Sequence, residues 1–196
     1  MKQTYSKNFL NLIQKITQSI DDKKIDNLAK KISLLRKKKG RLFFLGVGGS
    51  AANCSHAVND FRKICNIESY SPLDNVAELT ARINDEGWDS SLKGWLKVSN
   101  LNKNDAIFVF SVGGGNKAKR ISTNLISAID YAKKTRAQIF GVIGKKNGYL
   151  NKKGDEVILI PEVNIKKVTP LSEAYQAVVW HCLVSHPILQ KKKNKW

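Results

Sequence analysis

Four short apolar runs, at 41–46, 106–111, 138–143 and 156–160, constrain this chain most, and the first two lead directly into glycines. A strand with one wet face alternates apolar and polar residues. A continuous apolar run of this length suits a strand buried on both faces. A weaker fifth run lies at 67–73. Helical patterns fill the gaps at 51–64, 92–99 and 118–134. Strands alternating with helices predict an α/β protein with a parallel sheet and helices on both faces. Ligands of such sheets bind at the carboxyl ends of the strands.

The flanks read as helices. Phe9, Ile13, Ile16 and Ile20 recur at helical spacing. A second helix starts at Asp21 or Asp22, buries Ile25, Leu28, Ala29, Ile32 and Leu35, and stops at Gly40. Two amphipathic helices ahead of the first strand expose a stripe unless the domain or another subunit covers it. The last helix begins near Thr169-Pro170, with proline in its favoured first-turn place, and ends before Pro187. The expected layout is one domain over 1–196: a helical pair at 1–40, an α/β core at 41–187, and a mobile basic tail at 188–196.

Composition excludes several classes. No run of about 18 apolar residues exists, so no transmembrane helix is expected. Polar residues occur throughout the first eleven, with no apolar h-region before a small-residue cleavage site, so no secretory signal is expected there. Cys54, Cys65 and Cys182 form no CxxC pair, and three widely spaced cysteines fit a reducing cytoplasm. The net charge is +18, but the basic clusters are scattered and not interleaved with aromatic residues. That pattern argues against nucleic acid as the main partner.

Two turns carry the chemistry. Gly46-Val-Gly-Gly-Ser50 follows the first strand and opens a helix. Its glycines admit a ligand close to the backbone, and the N–H groups of the helix start attract an anion. It is not a dinucleotide fingerprint, because Ala51 stands where the third glycine belongs, so no nucleotide cofactor is expected. Ser111-Val-Gly-Gly-Gly-Asn116 is expected to lead from strand to helix in the same way.

With these turns and the final histidine-bearing helix, the chain resembles the SIS-domain phosphoheptose isomerases over nearly its whole length. The resemblance rests on the two N-terminal helices, the turn at 46–50, Asn84-Asp85 after Asp74, the turn at 111–116 and the last helix. It implies a three-layer sandwich with a five-stranded parallel sheet, a homotetramer and active sites between subunits. It places Gly48, Gly49, Ser50, Asp85, Ser111, Gly113, Gly114, Gly115 and Asn116 at the phosphosugar. Asp60 falls where the family carries a glutamate acting as general base, Glu173 where it often has glutamine, and His181 at the general acid. Some relatives hold zinc at positions matching His56, Asp60, Glu173 and His181. Two departures stand out. Val112 replaces a hydroxyl residue in the second turn, and Asp60 is one methylene shorter than glutamate.

The residues support the same chemistry independently. Aldose–ketose isomerisation needs a base to move a proton between C1 and C2 and an acid to serve O1 and O2; a carboxylate and a histidine suffice. His56 and Asp60, four apart, share a helix face. Glu173 and His181, eight apart, lie about 80° from each other around the helix. Two histidines with two carboxylates also form a zinc-compatible set. The leading expectation is a cytoplasmic isomerase converting sedoheptulose 7-phosphate to D-glycero-D-manno-heptose 7-phosphate for bacterial surface polysaccharide. The competing one is a non-catalytic phosphosugar sensor or scaffold, suggested by the altered loop and the shortened carboxylate. In duller readings, His56 and Asp60 are a surface ion pair, His181 is a satisfied core residue, and Glu173 favours a helix dipole.

Overall fold

The strands lie in the order β2-β1-β3-β4-β5, all parallel, in a computed structural model that describes residues 3–193. They are β1 (Leu42–Leu45), β2 (Ser69–Tyr70), β3 (Ala106–Ser111), β4 (Gln138–Ile143) and β5 (Glu156–Leu159). The helices are α1 (Tyr5–Ser19), α2 (Asp22–Lys37), α3 (Gly49–Lys63), α4 (Val76–Glu86), α5 (Ser91–Val98), α6 (Thr123–Thr135), α7 (Tyr149–Lys153) and α8 (Val168–Ser185).

Alternate residues of each strand feed opposite layers. Phe44, Phe108, Phe110, Phe140 and Val142 pack with α2, α3 and α8, and the rings of Phe44 and Phe108 stack at 5.2 Å. Phe43, Ile107, Val109, Ile139 and Val157 pack with α5, α6 and α7 on the other face. Every residue of β1 and β3 is buried, which is why their sequences are continuously apolar. The result is the three-layer sandwich on a five-stranded parallel sheet.

From β1 the chain turns one way to β2 and later crosses back to β3 on the other side of β1. This reversal makes the gap between β1 and β3 the topological switch point, where α/β sheets take their ligands. Both glycine turns leave these two strands.

Several boundaries differ from expectation. The run at 67–73 supplies only the two residues of β2, because Pro72 starts a 3-10 turn (Pro72–Asp74). Helices α4 and α7 were not anticipated; α4 has no fully buried residue, although Val76, Leu79 and Ile83 recur at helical spacing behind its N-cap Asn75. The last helix starts at Val168 with Lys167 as N-cap, so Thr169 does not cap it. The beginning of the basic tail is docked, not mobile: Leu189 is fully buried, Arg36 donates to the carbonyls of Ile188 and Leu189, and Lys191 N–H donates to Ile64 O. Residues 1–2 and 194–196 of the expected domain lie outside the described residues. Within α1 only Ile16 is fully buried, and Leu10 remains 60% exposed.

Candidate active site on the α3–α8 seam

Helices α3 and α8 lie side by side on one face of the sheet and run in the same direction, as their successive contacts at 49–173, 50–176, 53–176 and 56–181 show. The first glycine turn enters α3 at Gly49. Gly48 holds φ +62° and ψ −130°, a conformation that requires glycine. A Cβ at Gly49 would lie 2.7 Å from Cδ and both carboxylate oxygens of Glu173. The missing side chain is therefore what lets Glu173 rest on the first turn of α3, where the helix dipole favours a negative group. Among the described residues the Glu173 carboxylate has no hydrogen-bond or ion-pair partner, whereas its backbone carbonyl accepts from Asn53 Nδ2 at 3.0 Å.

Beneath it runs a buried polar chain. Gln176, fully buried, donates Nε2–H to Ser50 Oγ at 3.0 Å, and its Oε1 accepts from Asn53 Nδ2 at 3.0 Å. Asn53 and Gln176 escaped the sequence reading. The available signal was spacing: each lies three residues after a recognised site residue, Ser50 and Glu173, and so on the same helix face.

Further along the seam, His56, Asp60 and His181 each bring one donor atom within 4.8 Å of the others. His56 Nε2 stands 3.8 Å from Asp60 Oδ2. Asp60 is nearly buried and accepts from Asn59 Nδ2 at 2.8 Å. His181 Nδ1 lies 2.8 Å from the carbonyl of Ala177. A carbonyl only accepts, so Nδ1 carries the proton of that bond and Nε2 is the free atom. Trp180 backs both imidazoles, with its ring centroid 4.5 Å from that of His56. Two histidines and a carboxylate form a zinc-compatible donor set with a fourth position open. Tetrahedral ligands about 2 Å from zinc are roughly 3.3 Å apart, so these atoms, up to 4.8 Å from one another, would have to draw together to meet one ion. Glu173 is not in the group. It lies eight residues earlier on α8, about 12 Å along the helix at 1.5 Å per residue.

The second glycine turn is built differently from expectation. Ser111 is buried, and its Oγ accepts from the N–H of Gly114 at 3.0 Å. Gly114 and Gly115 hold φ of +68° and +83°. The carbonyls of Val112, Gly114 and Gly115 accept from the N–H groups of Gly144, Leu150 and Tyr149 at 2.9 Å each. Those carbonyls are thereby committed, while the N–H groups of Gly113 and Gly115 have no acceptor among the described residues, an arrangement that suits an anion. Gly148 makes it feasible, since a Cβ there would come within 2.4 Å of Gly113 O.

No helix opens at once after this turn. Helix α6 starts at Thr123, after a loop closed by reciprocal 3.0 Å backbone bonds between Asn116 and Ile121. Asn116 Oδ1 accepts from Lys119 N–H at 2.9 Å, which anchors this side chain to the loop, while its Nδ2 has no acceptor among the described residues. Lys117 Nζ pairs with Asp130 at 3.1 Å and lies 4.6 Å from the Tyr149 ring centroid, and Tyr149 OH donates to Asp130. Hydrogen bonds to Tyr149 and Asp130 raise the Lys117 pKa. Burial raises that of Asp130, but bonds from Tyr149 and Lys117 outweigh it, and the net shift is downward. Burial, then the bond to Asp130, raises that of Tyr149.

Asp85 is exposed on α4, and among the described residues its carboxylate accepts only from Asn84 Nδ2 at 2.7 Å and makes no hydrogen bond or ion pair with another site residue. A cavity of about 460 Å³ opens at the carboxyl ends of β4 and β5, lined in part by Lys145, Lys146 and Asn147. A larger one, about 620 Å³ and lined by Arg36, Lys39 and Lys191 among others, lies at the opposite end of the sheet, away from both turns.

No family model matches the chain. It is 30% identical over 158 residues to the lincomycin biosynthesis protein LmbN of Streptomyces lincolnensis, covering 75% of this chain and 56% of that protein. The chain thus spans little more than half the length of that relative. It is 29% identical over 165 residues to a phosphoheptose isomerase of Leptospira biflexa, covering 80% and 77% of the two chains. Among solved structures, a phosphoheptose isomerase from Francisella tularensis superimposes with a TM-score of 0.78 at 19% identity, over 96% of this chain and 95% of that one. At that identity the likeness concerns the fold.

Proposed function

Since the chain belongs to the phosphoheptose isomerase family of SIS-fold proteins, we propose that it interconverts a phosphorylated ketose and its aldose, with sedoheptulose 7-phosphate and D-glycero-D-manno-heptose 7-phosphate as the pair. The observation that carries the reading is the α3–α8 seam, which runs from an unpartnered carboxylate on the first glycine turn to a His–Asp–His cluster.

The phosphate is assigned to the second turn, to the N–H groups of Gly113 and Gly115 and the hydroxyl of Ser111. Gly48, Gly49 and Ser50 line the sugar. Glu173, uncommitted at the first turn, is the group suited to carry the proton between C1 and C2. Asp60 is engaged by Asn59 and His56. His181 Nε2 is the atom left to move the proton between O1 and O2, because Ala177 holds Nδ1; eight residues of α8 separate it from Glu173 within one chain, so the two serve one sugar only where helices of two subunits meet. With His56 and Asp60 the same nitrogen would instead hold a zinc ion, and its lone pair would then not be free to carry a proton. Zinc there supplies a Lewis acid for the sugar oxygens.

The outer face of α8 supports assembly. Ala174, Val178 and Cys182 follow one another at four-residue spacing on the exposed side, and Val178 is 55% exposed. A soluble helix apolar on its outer side is ordinarily covered, and we assign this face, with α1, to contacts within a homotetramer. Among the described residues no helix is long and apolar enough to cross a membrane. Cytoplasmic residence and a role in surface-polysaccharide heptose supply belong to the same proposal.

The test is incubation with sedoheptulose 7-phosphate in deuterated water, with and without zinc, read by NMR and mass spectrometry. Aldose carrying deuterium at C2 supports the assignment. Tight binding with neither exchange nor product sinks the isomerase reading in favour of the sensor, which the short Asp60 side chain would suit.

A further inference from the structure

Three polar side chains on the seam are wired in a way that the proton chemistry does not require. Gln176 is fully buried and makes two bonds of opposite sense. Its Nε2 donates to Ser50 Oγ at 3.0 Å, and its Oε1 accepts from Asn53 Nδ2 at 3.0 Å. An amide reversed by 180° would lose the second bond, because Asn53 Nδ2 can only donate. Asn53 Nδ2 uses its second proton on the carbonyl of Glu173 at 3.0 Å. Both ends of the amide are thus defined by their partners.

The consequence reaches Ser50. Its hydroxyl has accepted a bond from Gln176, and among the described residues its own proton has no acceptor. Asn53 is in the mirror situation. Its two amide protons are committed, and among the described residues its Oδ1 receives no donor. Ser50 and Asn53 are three residues apart on α3 and therefore adjacent on one face. Together they leave one unused donor and one unused acceptor beside the turn where Gly49 admits Glu173. A sugar hydroxyl both donates and accepts, and neighbouring hydroxyls of a polyol chain satisfy such a pair at once.

We propose that Gln176 is a positioning residue that fixes the polarity of Ser50 as donor and of Asn53 as acceptor toward the polyol part of the phosphosugar. This rests on the isomerase reading. A plain helix–helix polar contact would need only that the three groups be satisfied, whatever their polarity.

The experiment compares Gln176→Glu, Gln176→Met and Ser50→Ala, alone and in pairs, measuring kcat and KM for sedoheptulose 7-phosphate together with thermal unfolding. Burial keeps a glutamate here protonated and able to donate until the pH exceeds its raised pKa, so the comparison is made above it; the ionised group only accepts, and Ser50 must then turn its proton to it while the Asn53 bond survives. Methionine removes both bonds at similar volume and carries the test if the glutamate variant does not fold. The expected result is KM raised roughly fivefold to tenfold by either change at 176, the range of one net hydrogen bond. In the Ser50→Ala background the glutamate change should raise KM no further. Lowered thermal stability with KM unchanged, or KM effects that multiply fully with those of Ser50→Ala, would overturn the proposal. Wild-type protein that neither turns over nor binds the sugar phosphate would overturn the isomerase reading and this role with it. An active wild type lacking the coupling rejects the positioning role alone.

Discussion

Replacing Gly49 by alanine should separate stability from activity. Gly49 is the first residue of α3 and has ordinary helical backbone, with no positive φ. Alanine is the better helix former by up to about 1 kcal/mol, so the backbone gains from the change. The obstacle is Glu173, whose Cδ, Oε1 and Oε2 all lie 2.7 Å from the new Cβ. Ordinary contact begins near 3.4 Å, so the carboxylate must retreat by most of an ångström. It is the end of a flexible side chain without bonding partners among the described residues, and its retreat costs little in folding. For the reacting carbons the same retreat matters, since a 1 Å misplacement can cost about 100-fold in rate. The expected outcome is a Tm unchanged or raised by up to about 3 °C, as 1 kcal/mol gives in a chain of this size, with kcat/KM in the deuterium-exchange assay reduced by about one to two orders of magnitude. Activity near wild type would refute the placement of Glu173 at the reacting carbons. A Tm loss of several degrees would show that the Gly49–Glu173 contact is structural.

Gly148→Ala should instead weaken both stability and affinity for phosphosugar, because its Cβ meets backbone, Gly113 O at 2.4 Å, and backbone cannot swing aside. Overpacking of this kind costs about 1–3 kcal/mol, and isothermal calorimetry with the sugar phosphate should show the loss of affinity. If zinc binds, Asp60→Asn or His181→Ala should lower its affinity in competition with a chromophoric chelator, while Glu173→Gln should not; an equal effect of the glutamine variant would place Glu173 in the metal site. The Lys117–Asp130–Tyr149 cluster should give the loop at 116–122 a pH window. The Asp130 pKa is lowered in the fold, so its contribution is present above the ordinary carboxylate range and is lost as pH falls through the depressed value. The Lys117 pKa is raised, so its contribution is complete below the ordinary lysine value and is lost as pH climbs through the raised one. Amide exchange across the loop as a function of pH checks both limbs, and Asp130→Asn should flatten them.

Sequence alone was enough to identify β3 and β4 to the residue, because central parallel strands are buried on both faces and carry unbroken apolar runs. The same holds for α2, whose expected stripe of Ile25, Leu28, Ala29, Ile32 and Leu35 is the buried one. The glycine turns were legible because glycine is demanded where the backbone takes positive φ or another group approaches closely. Gly48 and Gly49 supply one instance of each. Helix α4 was missed although its signal was present: Asn75 caps it and Val76, Leu79 and Ile83 recur at helical spacing, but the segment buries no residue completely. Tertiary structure alone decided that Glu173 meets Gly49 across more than a hundred residues, that His181 joins His56 and Asp60 without Glu173, and that Gln176 bridges Ser50 and Asn53. The reason is physical. Local patterns record which face of an element is buried, but the partner on that face is chosen by sheet order and by the register of two helices that the chain brings together only when it folds.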